Sequence, residues 1–156
     1  MAGDPATPFR VVGAHTGSPN VRIKPQPDLA RAGWQLLGIE VYGGPLFNSW
    51  LDRDLGLSGR VAVRSEGRVQ TRLFTIDEPV LRVAQLAVHL DRAANQGLAL
   101  NPQQHLTPLW GVGIEPGDFR EYLAGVIAAD EADILSWDVM THDLQPSRRI
   151  GRDLDL

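Results

Sequence analysis

The stretch "SGRVAVRSEGRVQTRLFTI", residues 58–76, decides the fold class. Two runs, RVAVR at 60–64 and RVQTRLF at 68–74, flank Ser65, Glu66 and Gly67. Each run alternates apolar with polar or charged residues. Successive side chains of a strand point to opposite faces, so this pattern describes a sheet with one dry face and one wet face. The small, polar, glycine-ended centre lets the chain reverse between the runs. The stretch therefore reads as a β-hairpin, and an antiparallel sheet becomes the frame for the rest.

Working upstream, "FRVVGAH" at 9–15 reads as a short buried strand, and "VRIKP" at 21–25 as a second, with Val21 and Ile23 apolar. "WQLLGIEVY" at 34–42 is a third, bounded by Gly33 and by Gly43-Gly44-Pro45. Downstream the period changes. Within 79–95, Val80, Val83, Ala84, Ala87 and Leu90 fall on one helical stripe, with His89 beside it. Pro102, Pro108, Gly111 and Gly113 punctuate 97–113, which reads as a structured loop. A second helix follows, with Asp118 as N-cap and Phe119, Tyr122, Leu123, Val126 and Ile127 on one face. "EADIL" is a short turn and "LSWDVMTHDL" at 135–144 a final strand. Strands, then helices, then a strand make an α+β arrangement. Neither a run of βαβ units nor a phosphate-binding glycine loop is present, so a nucleotide crevice is not expected.

Composition narrows the function. With 156 residues, 43% of them hydrophobic and 22% charged, the chain has the make-up of a soluble globular protein. A net charge of −4 with scattered basic residues argues against nucleic acid as a partner. No run is long enough for a membrane helix, and no leader peptide is evident. There is no cysteine, which excludes disulfides and thiolate zinc sites. The expected compartment is the cytoplasm.

Four histidines are the neutral-nitrogen ligands on offer: His15, His89, His105 and His142. None is paired at the i, i+4 spacing of a helical zinc motif. His89, beside an apolar helical stripe, reads as a half-buried structural ring, and His142 as a hydrogen-bonding one. His105 lies in a proline-bracketed loop, where functional side chains are often presented. His15, at a strand end before a turn, is the best metal-ligand candidate. In "WLDRDLG", Asp52 and Asp54 flank Arg53. The pair could join His15 in holding a metal, but a salt-bridged corner is the simpler reading.

The order of these pieces carries more. "VVGAHTGSPNVRIKP", "GIEVYGGPLFNSWLDRDLGLSGRVAVR", "LAVHL", "LNPQQHLTPLWG" and "ILSWDVMTHDLQPSRRIG" together resemble the M18 zinc aminopeptidases, the aspartyl aminopeptidase and aminopeptidase I group. The likeness runs from about Pro8 to Gly151. It implies a hydrolase that removes N-terminal residues, often acidic or neutral, from peptides, with two zinc ions at a shared site; other divalent metals could serve. It implies that His15 is a metal ligand. It also implies that His105, in an inserted domain, reaches the active site of a neighbouring subunit as a substrate contact, so a homo-oligomer is expected.

The resemblance further implies three segments. Residues 8–57 would open an α/β metallopeptidase catalytic domain, 58–145 would form an inserted β-rich dimerisation and substrate-gating domain with helices, and 146–156 would return toward the catalytic part. Gly17 stands where the family has an aspartate that orients the histidine ligand. The general base and the remaining ligands are expected beyond Leu156, so the chain is expected to be inactive alone. Strands before residue 43 are expected to expose an edge. A non-catalytic oligomerisation or scaffold module derived from this family is the alternative.

Overall fold

The computed structural model describes residues 11–14 and 17–152. The 58–76 stretch forms the hairpin that its alternation requires. Strand β3, Asp54–Ser65, pairs antiparallel with β4, Arg68–Arg82, from Ser65↔Arg68 onward. The reversal is tighter than the sequence suggests. Only Glu66 and Gly67 lie between the paired ends, both at positive φ (51° and 73°). That combination matches the right-handed twist of the strands it joins. The same device joins β1, Asn20–Arg31, to β2, Trp34–Tyr42, through Ala32 (φ 53°) and Gly33 (φ 82°).

Two further strands complete the sheet: the short β5, Leu109–Val112, and β6, Ile134–Asp143. The spatial order is β1-β2-β5-β4-β3-β6, and β6 returns to β1 at Arg22↔Met140, closing a barrel. Inward residues alternate along every long strand. Val21, Ile23, Leu37, Ile39, Leu55, Leu57, Val61, Val63 and Val139 are all buried in one core. Helix α2, Phe119–Ile127, adds Phe119, Leu123, Ala124 and Ile127 to that core. Asp118 caps it as expected, its carboxylate accepting from the Glu121 N–H at 2.9 Å. Trp110 and Trp137 meet Phe119 edge-on, at 6.0 and 5.6 Å between ring centroids.

Several expectations need correction. The described residues are mostly antiparallel β, with α2 the one helix of more than four residues among them. No helix forms over 79–95. Strand β4 continues through Arg82, because Leu81 and Val83 both point into the core with strand alternation. The apolar residues beyond it, Leu86, Val88 and Leu90, are exposed in a non-helical segment, and so is His89. A helical stripe needs a surface to bury against, and this one has none within the described chain. The 97–113 loop contains a one-turn helix, α1, Pro102–His105, and strand β5. Residues 11–14 form no strand, and residues 9, 10 and 15 of that expected strand lie outside the described residues.

The strands before residue 43 do not present an open edge and an apolar face. β1 pairs with β2 and β6, β2 pairs with β5, and their inner side chains share the barrel core. The expected division at 57/58 falls inside β3, in mid-strand.

Candidate functional site

The histidines part company in space. His15, the expected metal ligand, lies outside the described residues. Gly17, two positions on, is described. Its backbone is not in the left-handed region, and among the described residues a Cβ built there meets only Tyr42, with the hydroxyl oxygen at 3.6 Å. Among the described residues, nothing blocks the first side-chain carbon of the aspartate that the family resemblance expects.

His105 ends α1, and the sequence around it builds a small self-capped turn. Asn101 is the N-cap, its side-chain oxygen accepting from the N–H groups of Gln103 (3.0 Å) and Gln104 (3.2 Å). Pro102 fits the first turn, where its missing N–H costs nothing. The Asn101 N–H donates to Nδ1 of His105 at 2.8 Å. A neutral ring accepting at Nδ1 carries its proton on Nε2, so His105 presents an N–H donor from an exposed position. The turn is anchored below and beside. Leu106 is fully buried, Gln103 donates to the Ile39 carbonyl at 3.1 Å, and Lys24 donates to Gln103 at 2.7 Å. A cleft of about 400 Å³ lies alongside, lined by Leu29, Trp34, Leu36, Gln104 and Thr107 among others. No local pattern pairs Lys24 with Gln103; they stand far apart in the chain, and the packing of α1 beside β1 and β2 joins them.

His142 has the hydrogen-bonding role read for it. Its Nε2 lies 3.0 Å from Asp77 Oδ1, and its ring packs over Gly56, the residue opposite it on β3. Any Cβ at Gly56 would strike that ring and the Ile76 carbonyl, so glycine is required there by close approach.

Asp52 and Asp54 form a salt-bridged corner, but around a different arginine. Asp54 opens β3, and Asp52 lies in the turn just before it, in the left-handed region at φ 57°. Arg82, opposite Asp54 in the ladder, reaches Asp54 through Nη1 at 2.6 Å and Asp52 Oδ1 through Nη2 at 3.1 Å. The hydrogen bonds to Asp54 first and Asp52 second push the guanidinium further up from its already high pKa. Arg53 instead pairs with Asp143. Both aspartates are thus occupied by a cation. Among the described residues no group of three or more His, Asp or Glu side chains comes together to hold a metal. The described residues do not fit a zinc site by themselves. No helix among them is long and apolar enough to cross a membrane, which says nothing of membrane β-barrels.

Comparison with known proteins supplies the context for this barrel. The family model described as aminopeptidase I zinc metalloprotease (M18) matches residues 2–156. A Streptomyces avermitilis protein named probable M18 family aminopeptidase 2 is 50% identical over 156 residues, covering 98% of this chain and 35% of its own length. A chain in the cryo-EM structure of the Ape4 and Nbr1 complex superposes with a TM-score of 0.81 at 32% identity, over 90% of this chain and 31% of that one. The S. cerevisiae mApe1 dodecamer structure shares the fold, with a TM-score of 0.67 at 22% identity over 90% of this chain and 32% of that one. The chain thus spans about a third of the length of the relatives it matches. It belongs to the M18 family of aminopeptidase I zinc metalloproteases.

Proposed function

We propose that this chain serves a zinc-dependent aminopeptidase that removes N-terminal acidic or neutral residues from peptides, and that its barrel is the assembly and substrate-gating part. The observation that carries this reading is the closed barrel with its anchored His105 turn, within a chain matched to the family over residues 2–156. On this reading His15 is a ligand in a site that takes two zinc ions when complete. His105 offers its Nε2–H to substrate bound in a neighbouring copy, so the working form is a homo-oligomer. The dodecameric mApe1 neighbour is in keeping with that. On the same reading this chain works in the cytoplasm. Bound zinc would polarise the scissile carbonyl and activate water. On this reading the described residues contribute to positioning and assembly.

The test is a chimera in which residues 2–156 replace the matching segment of the Streptomyces avermitilis relative, assayed on aspartyl, glutamyl and leucyl reporter substrates with zinc, cobalt or manganese. Chelator-sensitive turnover that is lost in His15→Ala and reduced in His105→Ala is expected. Gly17→Asp should raise turnover roughly 10–100-fold by restoring a carboxylate behind the histidine. A folded chimera indifferent to both histidine substitutions would overturn the reading. The 156-residue chain itself is expected to show no turnover above buffer.

A further inference from the structure

Trp110 stands on β5, and its indole Nε1 is buried without a hydrogen-bond partner among the described residues. A buried N–H left unmet is a cost that folded chains seldom carry without a reason. The ring packs edge-on against Phe119 and Tyr122, with centroids 6.0 and 5.7 Å apart. Gly117 lies against its remaining side. A Cβ built on Gly117 would fall 2.3 Å from Cζ2 of the indole and 3.0 Å from Nε1. Residues 113–118 thus run as a strap across the tryptophan, and glycine is what lets the backbone lie so close.

The strap is tied at both ends and lightly held in between. At its start the Gly113 N–H donates to the Gly33 carbonyl at 3.0 Å, and just past its end the Phe119 N–H donates to Asp28 at 2.9 Å. Among the described residues, a single hydrogen bond reaches residues 114–117: Gln35 Nε2 donates to the Glu115 carbonyl at 3.2 Å. Gln35 gets there by lying across Gly111, its partner in the β2–β5 ladder, where a Cβ would fall 2.3 Å from Oε1. Ile114 is 84% exposed, and Glu115 and Pro116 are exposed beside it. Little apolar burial therefore holds the strap down, while lifting it brings the unmet Nε1–H to water. Segments with few buried contacts open locally, at lower free energy than the core.

We infer that residues 113–118 form a strap that lifts off Trp110 between its ties to Gly33 and Asp28, with Gln35 as its latch. The movement leaves the barrel ladder and α2 in place and opens the cluster of Trp110, Phe119 and Tyr122 to solvent. It is independent of the aminopeptidase reading above. The experiment is hydrogen exchange of the Trp110 indole N–H, followed by NMR on the nitrogen-15-labelled chain beside the main-chain amides of Val61 and Leu123 in the core. In the wild type, protection of the indole should be at least about tenfold lower than that of the two amides. Gln35→Glu keeps the size of the side chain and removes the donor. It should lower protection of the indole by a further three- to tenfold or so and leave Val61 and Leu123 unchanged. Gly117→Ala, whose methyl strikes the indole, should act in the same direction. A wild-type indole as protected as the core amides overturns the strap, because the ring would then meet water only on global unfolding; this comparison holds whatever the variants do. Protection lowered equally at all three sites in Gln35→Glu overturns the latch, because Gln35 would then support the whole barrel.

Discussion

Asp28 sits where β1 meets the start of α2, and its carboxylate accepts from the Phe119 N–H at 2.9 Å. Burial raises its pKa above the ordinary 3.8, the Phe119 hydrogen bond opposes that rise, and the nearby Asp118 adds to it. A native pKa above the unfolded value means that stability is present below the unfolded pKa and lost as pH rises through the native one. Asn at this position keeps the acceptor and drops the charge. Asp28→Asn is therefore expected to be at least as stable as wild type at pH 7, with the difference closing below about pH 4. Urea midpoints across this range check it. A variant less stable at pH 7 would mean that attraction between the carboxylate and the helix N-terminus outweighs desolvation. The residue scale is also where the sequence misleads most easily. Asp52 and Asp54 were legible as a salt-bridged corner, but their partner Arg82 was not, because a ladder pairing chooses it.

Helix α2 shows what an element owes to its own sequence and what it owes to its neighbours. Its start is local: Asp118 caps Glu121, and the spacing of Phe119, Leu123 and Ile127 puts one stripe inward. Its end is not local. Ala128 turns left-handed at φ 51°, and the guanidinium of Arg72 collects the carbonyls of Ile127 (2.8 Å) and Ala128 (2.9 Å). A helix of nine residues is marginal alone, so the barrel supplies most of its stability. Asp118→Ala should lower global stability by about 1 kcal/mol, the usual worth of an N-cap, as a downward shift in the denaturant midpoint at unchanged slope. The 79–95 segment makes the complementary point. It has helical spacing, yet its first residues complete β4 and the rest find no surface to bury against.

Across the whole molecule, the barrel makes one unit of strands that the sequence assigned to two. The core takes residues from β1, β2, β3, β6 and α2, together with Leu81 of β4 and Leu106 beside β5. β3 passes through position 57/58 without a break. Residues 20–143 are expected to unfold in a single step, with far-ultraviolet circular dichroism and tryptophan fluorescence giving coincident transitions. Two resolved transitions would restore a division near residue 57. The candidate site is also a property of the whole. The His105 turn is held to β1 by Lys24 and to β2 by the Ile39 carbonyl, contacts that exist only once β1 and β2 stand beside α1.

The sequence by itself determined the elements whose information is local. The 58–76 hairpin, the strands at 34–42 and 135–143, and the capped α2 all follow from alternation, helical spacing, turn residues and an N-cap, which act within a few residues. Ordered motifs also made the family legible. Tertiary structure alone decided how the sheet closes, which arginine holds Asp52 and Asp54, and which nitrogen His105 presents. Each of these depends on pairing between residues far apart in the chain. The energy of such a pairing is set by burial and register in the assembled barrel, and no local pattern records it.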